Sequence, residues 1–329
     1  MFKVGLVGAG FMGRLHAAAW AQTPAQLAAV FDQYSEQSTR AIQQQYGAAV
    51  YNDLDTLIDA VDVVDICTPT HTHHALVLRV ARAGKPIVCE KPLARTAQQA
   101  NEMVAACQAT GVKLLVGHVV RFFPEYALAK QVVDSGELGR LGMVRLKRVS
   151  SGPSWSKWFL DFEKSGGMIL DLMIHDFDYA QWVAGAVESV FVRSLRGQHP
   201  DAPTDYALAI LRHKSGTLSH VEGGWVYPPP LFRTALEIAG ENGLIEHSAD
   251  SSAPLSVHLK GQDAGKDTGV PTSPLLEDPY FTQIKHFYDV LAHDVPSRIA
   301  PEEGAAAVRI ALAAIKSART GQRVYVEEV

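Results

Sequence analysis

The sequence predicts an α/β protein: a doubly wound parallel sheet, followed by an α+β domain with a large, mostly antiparallel open sheet. Over residues 1–120, apolar strand-like segments alternate with helix-like segments, which is typical of a parallel sheet covered by helices. Beyond residue 120, strand-like segments follow one another with turn residues between them. A chain of 329 residues also exceeds the usual size of one core. We therefore predict two domains, 1–120 and 121–329.

The first domain is predicted to contain five strands and four helices. The strands are predicted at Lys3–Val7, Leu27–Phe31, Val61–Thr68, Pro86–Glu90 and Lys113–Gly117. The helices are predicted at Met12–Gln22, Ser35–Tyr46, His74–Ala83 and Thr96–Thr110, the last opened by a Thr N-cap and closed by Gly111. Ligands bind at the carboxyl ends of such strands, so residues just past the strand ends are the first candidates for a site.

The second domain is predicted to be built mainly from strands joined by tight turns. Its strands are predicted at Gly142–Ser150, Val187–Leu195, Tyr206–His213, Thr217–Gly224, Arg233–Ala239, Leu244–Ser248 and, at the end of the chain, Gln322–Val326. Its helices are predicted at Glu125–Ser135, in the apolar run Gly166–Trp182, and at Tyr280–His293 and Glu302–Thr320, with a surface loop at Gln262–Pro279. Helices on one side leave the other sheet face uncovered, from which we predict an oligomer interface on this sheet.

Composition and charge indicate a partner that is a small molecule. Charged residues make up 20% of the chain and the formal net charge is only -5, so neither nucleic acid nor an anionic membrane is expected to bind. The three cysteines show no paired spacing and are expected to be reduced thiols. There is no signal-like N-terminus and no apolar run of about 18 residues, so we expect a soluble, cytoplasmic protein.

A glycine-spaced loop follows the first predicted strand. Gly8 supplies the backbone freedom that a sharp strand-to-helix turn needs, and Gly10 has no side chain to block a pyrophosphate. Gly13 lets the next helix lie close to the strand, so that its N-terminal amides face the phosphates. The residues expected to bind the anionic part of a dinucleotide are Gly8, Gly10, Phe11, Met12 and Gly13.

A carboxylate at the end of the second strand indicates which dinucleotide is bound. Asp32 lies nineteen residues after Gly13, close to the distance at which this type of fold places a ribose-binding acid. Such an acid repels a 2'-phosphate, and neither Lys nor Arg occurs in the next three residues, 33–35. The sequence thus predicts NAD in preference to NADP. The alternative is that Asp32 only caps the helix that begins near Ser35.

Three further side chains have the chemistry of a proton-transfer site. Lys91 follows a strand end, where it could polarise a carbonyl or stabilise an alkoxide; a surface lysine is the alternative. Asp171 and His175 are four residues apart, so both are predicted to project from one helix face. A histidine can accept a hydroxyl proton while the carboxylate orients the ring or the substrate. The alternative is a buried histidine satisfied by its helix neighbour.

A metal site is not predicted. The run His71-Thr72-His73-His74 suggests imidazole ligands, but neither a nearby cysteine nor a carboxylate pair completes a recognisable set. Asp171 and His175 could also bind a metal, an alternative that the sequence leaves open. The lysine at position 91 makes a metal-free mechanism simpler.

In combination and in order, these motifs resemble the glucose-fructose oxidoreductase and inositol dehydrogenase (Gfo/Idh/MocA) family of NAD(P)-dependent oxidoreductases. The resemblance implies a Rossmann domain and a second domain whose open sheet packs against a partner subunit, so that a homodimer or homotetramer forms through the C-terminal sheet. It implies a catalytic Lys91, a substrate-orienting Asp171 and a proton-transferring His175. Residues that it places beside the cofactor are Thr68, Pro69, His73, Glu90 and Lys91. At Thr70 the family often has Asn, so local bonding there is expected to differ.

The resemblance also suggests substrate contacts and an activity. His118 and Arg121 are candidates for contacts near the substrate, although a structural salt bridge is an equal alternative for Arg121. Trp155 and Trp158 could line a sugar site, since aromatic faces suit carbohydrate C–H surfaces, or simply pack in the core. The predicted activity is hydride transfer between a secondary hydroxyl of a sugar, cyclitol or related polyol and nicotinamide. The alternatives are an NAD-dependent redox-neutral glycosidase and a non-catalytic NAD(H)-binding regulator.

Overall fold

The computed structural model describes residues 1–153, 156–195, 205–248 and 278–329, which form two compact units. The first unit contains residues 1–122, close to the predicted boundary, together with 278–305. The sequence-based division had placed 278–305 with the second domain. In the structure, Tyr288 of this segment stacks on Phe2 at a centroid distance of 5.5 Å and Phe287 packs edge-on against Phe122 at 6.2 Å. Burial of these aromatic side chains against Phe2 and Phe122 explains why the segment belongs to the first unit.

The first unit contains a six-stranded sheet in which every pair of neighbours is parallel. Its strands are β1 (Lys3–Val7), β2 (Gln26–Phe31), β3 (Ala49–Val50), β4 (Val63–Ile66), β5 (Ile87–Glu90) and β6 (Leu114–Gly117). Their order is β3-β2-β1-β4-β5-β6. The five predicted strands are present. The two-residue β3 was not predicted, because so short a strand has no apolar period to read.

Eleven α-helices lie in the described parts of the chain. They are α1 (Phe11–Trp20), α2 (Glu36–Tyr46), α3 (Leu54–Ala60), α4 (Thr70–Arg82), α5 (Ala97–Thr110), α6 (Pro124–Asp134), α7 (Phe162–Ser165), α8 (Gly167–Asp171), α9 (Ile174–Ala184), α10 (Pro279–His293) and α11 (Pro301–Thr320). Short 3-10 turns occupy Val119–Phe122, Lys157–Phe159 and Val326–Glu328. The predicted caps of α5 are present: the Thr96 hydroxyl accepts the Gln99 amide at 3.1 Å, and Gly111 has a φ of +69°.

The second unit contains a seven-stranded sheet. Its strands are β7 (Leu141–Ser150), β8 (Val187–Leu195), β9 (Tyr206–His213), β10 (Leu218–Trp225), β11 (Phe232–Gly240), β12 (Gly243–Ser248) and β13 (Val324–Tyr325). Their order is β12-β11-β7-β10-β9-β8-β13, and all neighbours are antiparallel except β7 and β10. The predicted fold class is thereby confirmed. The predicted loop Gln262–Pro279 lies, but for its last two residues, outside the described residues.

The run predicted as one helix over Gly166–Trp182 is divided in the structure, so the single-helix prediction was wrong. α8 ends at Asp171 and α9 begins at Ile174. Met173, at the junction, packs so closely on β10 that a Cβ added to Gly223 would lie 2.3 Å from its Cγ. Packing against the sheet therefore decides where the helices divide, which a local apolar pattern does not encode.

One face of the second sheet is buried and the other is partly exposed. Along β9, Ala207, Ala209 and Leu211 are buried, whereas Ile210 between them is 47% exposed. Leu218 of β10 is exposed to a similar degree. This alternation is expected of an antiparallel sheet covered by helices on one side. No helix in the described ranges has both the length and the apolar character that crossing a membrane requires.

Candidate active site

The glycine loop has the geometry that its sequence predicts. Gly8 has a φ of +97°, which L side chains rarely adopt. A Cβ on Gly13 would lie 1.9 Å from the carbonyl oxygen of Gly8, so only glycine fits where α1 passes β1. A Cβ on Gly10 would meet no protein atom within 4 Å. Open space at Gly10, directly before α1, fits the pyrophosphate of a dinucleotide.

Asp32 follows β2 and contacts the glycine loop. One carboxylate oxygen accepts the Ala9 amide at 2.7 Å, and the other accepts the amides of Tyr34 at 2.7 Å and Ser35 at 3.1 Å. The N-cap of α2 is Ser35, whose hydroxyl accepts the Ser38 amide at 3.2 Å, so the helix-cap alternative for Asp32 is not supported. The bond from Ala9 ties the Asp32 side chain to the glycine loop. A carboxylate has about four acceptor positions, so this half-buried group retains capacity for a ribose hydroxyl.

His73 joins the two loops that follow β4 and β5. Its Nε2 lies 2.8 Å from the Thr68 carbonyl oxygen and its Nδ1 lies 2.9 Å from that of Pro92. Burial lowers the pKa of His73, and these carbonyl groups oppose that effect only in part. The ring is 1% exposed, and its contacts with the Thr68 and Pro92 carbonyl oxygens hold the two loops together. Thr68 and Pro69, at the end of β4, are half-buried and therefore more accessible than His73.

Lys91 is placed by the last residue of β5 and by a fixed loop. Glu90 ends the strand and is 5% exposed, and a cis peptide bond joins Lys91 to the buried Pro92. The side chain of Lys91 is half-buried, in contrast to the residues on both sides of it. Since β5 lies beside β4, which adjoins β1, Lys91 stands at the same carboxyl edge of the sheet as the glycine loop.

A buried polar cluster lies behind this edge, and the sequence analysis missed it. His16 of α1 is fully buried, with Nδ1 2.9 Å from Oδ2 of Asp65 in β4 and Nε2 3.2 Å from Oε1 of Glu90. The Trp20 indole donates to Asp65 at 2.7 Å. One signal could have revealed the cluster: Asp65 interrupts the apolar strand Val63–Ile66, and a buried charge requires partners.

The same cluster contains three possible metal ligands, His16, Asp65 and Cys67. The distances from His16 Nδ1 to Asp65 Oδ2, 2.9 Å, and to Cys67 Sγ, 3.2 Å, are those of hydrogen bonds. Burial raises the pKa of the Cys67 thiol, which disfavours the thiolate that binds metals. The contacts within this cluster are therefore accounted for by hydrogen bonding.

Asp171 and His175 are the two accessible positions at the junction of α8 and α9. Both are half-buried, whereas the residues between them, Leu172–Ile174, are buried. Asp171 is the last residue of α8 and His175 belongs to the first turn of α9. The prediction that one continuous helix carries them was wrong, yet the junction still leaves both side chains accessible. Asp171 and His175 are therefore partly exposed residues on either side of the junction's buried residues.

The residue after His175 anchors α9 to the sheet. Asp176 accepts two bonds from the guanidinium of Arg148 in β7, at 2.8 and 3.0 Å, and the two side chains are 0% and 2% exposed. Burial raises the pKa of Asp176, opposed by the charge and hydrogen bonds of Arg148. A two-pronged ionic contact of this kind fixes orientation as well as distance. It therefore holds the first turn of α9, which carries His175.

The candidate substrate residues of the first unit are buried. Arg121 is 0% exposed and donates to the Glu303 carboxylate and to the Arg298 carbonyl oxygen, both at 3.1 Å. The structure thus corrects the prediction of a substrate contact for Arg121 in favour of the alternative, a structural salt bridge. His118 is also 0% exposed, and a role at the substrate stays a prediction for it.

Trp158 is the candidate tryptophan that lies within the described part of the chain. Trp158 is half-buried in the 3-10 turn Lys157–Phe159 and stacks on Phe159 at a centroid distance of 4.0 Å. A half-buried aromatic pair offers an apolar face of the kind that sugars contact. Trp155 lies outside the described residues.

Comparison with known proteins identifies the class of protein to which this fold and these motifs belong. Residues 2–118 match the oxidoreductase family with an NAD-binding Rossmann fold, and residues 126–246 match the GFO/IDH/MocA C-terminal domain. The chain belongs to the GFO/IDH/MocA oxidoreductase family. The resemblance drawn from the motifs is thereby confirmed, as is the prediction of an NAD(P)-dependent dehydrogenase acting on CH–OH groups.

Relatives cover nearly the whole chain. An inositol 2-dehydrogenase of Rhizobium meliloti is 30% identical, over 98% of this chain and 99% of its own. A myo-inositol 2-dehydrogenase of Thermotoga maritima is 29% identical, over 99% of both. Among solved structures, GenD2 from gentamicin A biosynthesis, in complex with NAD, has a TM-score of 0.86 at 25% identity, covering 98% of this chain and 95% of that one.

Proposed function

We propose that this protein oxidises a secondary hydroxyl group of a sugar, cyclitol or related polyol, with NAD as the hydride acceptor. The observation that carries the proposal is the accessible Lys91 at the carboxyl edge of the parallel sheet, beside a loop with open space at Gly10. Two relatives that match over almost all of this chain are named inositol 2-dehydrogenases. These names favour a cyclitol or a sugar of similar shape.

Lys91, His175 and Asp171 would each have a separate role in the reaction. The bound nicotinamide supplies the hydride acceptor. The Lys91 ammonium donates a hydrogen bond to the reacting oxygen and stabilises the negative charge that develops there. His175 accepts the hydroxyl proton, and Asp171 orients the hydroxyl group or the imidazole ring. The accessibility of all three side chains supports this assignment.

Asp32 is proposed to select NAD over NADP. Its carboxylate is held by three backbone amides at the end of β2, so it cannot move aside without losing those bonds. A fixed negative charge at this position repels a 2'-phosphate and accepts a ribose hydroxyl.

The partly exposed face of the second sheet is proposed to bind a second copy of this chain. Ile210 of β9 lies opposite Phe191 of β8 and His220 of β10 in the sheet register, and both of these are only half-buried. In a homodimer with twofold symmetry, the commonest kind of homo-oligomer, the same face of each copy packs against the other, and partly exposed apolar residues suit such a contact. The predicted homodimer or homotetramer would form through it.

A comparison of two lysines tests the proposed activity. Lys91→Ala should lower kcat by about 10²–10⁴-fold while NAD affinity is retained, since the ammonium acts on the reacting oxygen. Lys85→Ala is the matched control, because Lys85 precedes the same strand at its other end and donates to the Val61 carbonyl oxygen at 2.7 Å. Normal turnover by Lys91→Ala would contradict the proposal.

A further inference from the structure

The buried cluster behind Lys91 contains two facing polar atoms, neither of which has a hydrogen-bond partner among the described residues. Nε2 of His16 and Oε1 of Glu90 are 3.2 Å apart, and their side chains are 0% and 6% exposed. On its other side, His16 places Nδ1 2.9 Å from Oδ2 of Asp65. One ring thus stands between two buried carboxyl groups that belong to neighbouring strands, β4 and β5.

The donors and acceptors around this ring favour its charged form. Asp65 accepts the indole N–H of Trp20 at 2.7 Å. A neutral imidazole has one N–H, and if Asp65 receives it, the lone pair of Nε2 faces the oxygen of Glu90. A proton on either of these two atoms removes this repulsion, and a proton on Nε2 makes His16 an imidazolium. The pKa favours the ring as the site of this proton: burial alone would lower it, but the Asp65 charge raises the pKa of His16 well above its usual value.

The Glu90 side chain is confined on its other side as well. A Cβ added to Gly117 of β6 would lie 2.4 Å from Oε1 of Glu90, so this carboxyl oxygen rests directly against the neighbouring strand. Glu90 is therefore held between α1 and β6. The next residue along the backbone is Lys91.

We propose that His16 is a positioning residue for Lys91: as a cation it holds Asp65 and Glu90 together and so fixes the strand end from which Lys91 extends. This inference rests on the proposed function, in which the Lys91 ammonium acts on the reacting oxygen. A ring at 0% exposure cannot reach a ligand. Its influence on the reaction is therefore exerted through Glu90.

A charge-removing variant at each end of the contact tests the proposal. His16→Gln keeps amide hydrogen-bonding groups but carries no charge, and Glu90→Gln removes the charge of the partner with little change in shape. Each should lower kcat by about 10- to 100-fold, the size of effect that displacement of a reacting group by roughly 1 Å produces. His16→Gln should leave NAD affinity unchanged, because the ring is 0% exposed. Should His16→Gln fail to fold, Glu90→Gln still tests the contact.

His213→Gln is the matched structural control. His213 is also a buried histidine, 1% exposed, with Nδ1 2.6 Å from the Gly185 carbonyl oxygen and Nε2 2.7 Å from the Ser219 hydroxyl. None of these partners has a proposed catalytic or binding role. This variant should lower the melting temperature, because its hydrogen bonds are lost, and leave kcat unchanged. An equal loss of kcat in both would overturn the proposal, because kcat would then follow stability alone.

A double-substitution cycle separates this inference from the proposed function. With Lys91→Ala already present, His16→Gln should cause no further loss of kcat, because the group that it positions is gone. An equal further loss would show that His16 acts independently of Lys91 and would overturn the inference. If Lys91→Ala alone turned over normally, the proposed function would fail first. In the unsubstituted protein, nitrogen NMR should show His16 as an imidazolium at a pH where an ordinary histidine is neutral, and a neutral ring there would also overturn the inference.

Discussion

Removal of the guanidinium from the buried Arg148–Asp176 pair is expected to destabilise the second unit strongly. Arg148→Met keeps an apolar side chain of similar length in β7 but leaves the Asp176 carboxylate, 0% exposed, without its counter-charge. Two bonds of 2.8 and 3.0 Å are lost together. Because solvent does not reach either group, water does not replace those bonds.

The expected cost follows from this geometry. Breaking a buried, hydrogen-bonded ion pair by removing one partner costs about 3–5 kcal/mol. For a unit of this size, each kcal/mol lowers the melting temperature by about 2–4 °C, so the expected decrease is about 6–20 °C. The double variant Arg148→Met/Asp176→Leu buries no charge, and it should recover most of the loss.

The loss of stability in Arg148→Met is expected to depend on pH. Burial already raises the pKa of Asp176, and without Arg148, which opposes this shift, the pKa should rise further. When the folded-state pKa of an acid lies above its unfolded value, stability is highest below the unfolded value and is lost as pH rises through the folded one. The deficit of Arg148→Met relative to the unsubstituted protein should therefore be smallest below about pH 4, the unfolded pKa of Asp, and grow toward neutrality.

Urea unfolding of the two variants, followed by circular dichroism across this pH range, measures both quantities. A loss below about 1 kcal/mol for Arg148→Met, the scale of an exposed ion pair, would refute the assumption that the pair is excluded from solvent. Failure of the double variant to recover stability would show that packing of the Arg148 side chain, rather than the unpaired carboxylate, causes the loss.

Three further predictions concern the cofactor and the assembly. Gly10→Ala should leave the melting temperature unchanged, because its Cβ meets no protein atom within 4 Å. It should weaken NAD binding about 10- to 100-fold, a steric cost of roughly 1–3 kcal/mol. Gly142→Ala is the control, and calorimetry measures the melting temperature and the NAD affinity of each variant. Asp32→Ala should reduce the preference for NAD over NADP in kinetic assays, and an unchanged ratio would show that another residue selects the cofactor. Ile210→Asp should lower the mass seen by sedimentation, whereas an unchanged oligomer would exclude this sheet face as the interface.

The strands and the glycine loop could be predicted because their signals are local. The predicted bounds of Lys3–Val7, Val187–Leu195 and Tyr206–His213 agree with the structure at both ends. Each of these strands has an apolar or alternating pattern bounded by turn residues, which depends on the backbone nearby and not on distant packing. The fixed spacing of Gly8, Gly10 and Gly13 is likewise a local requirement of the strand-to-helix turn.

The features that were missed depend on contacts between distant parts of the chain. The break before Ile174 follows from the packing of Met173 on Gly223, and the assignment of 278–305 to the first unit follows from packing on Phe2 and Phe122. A one-dimensional apolar pattern shows that a residue is buried, but not what it is buried against.

The polar partners in the interior are hidden for the same reason. His16 and Glu90 lie far apart in the sequence, and only the order β1-β4-β5 with α1 behind it brings them together. Arg121 was a candidate ligand contact because of its place after β6, whereas its partner Glu303 comes more than 180 residues later. Position along a strand edge predicts which residues approach a ligand, but it does not reveal which of them already have a buried partner.

In the proposed reaction NAD oxidises a polyol, while His175 accepts the hydroxyl proton and Lys91 stabilises the reacting oxygen. The most direct test is NADH absorbance after incubation of the purified protein and NAD with a panel of inositols, aldoses, sugar acids and nucleotide sugars, with His175→Ala as the control. We expect NADH formation with at least one cyclitol or sugar, and a large loss of that activity in His175→Ala. NAD binding without NADH formation from any compound, or equal activity in His175→Ala, would contradict it.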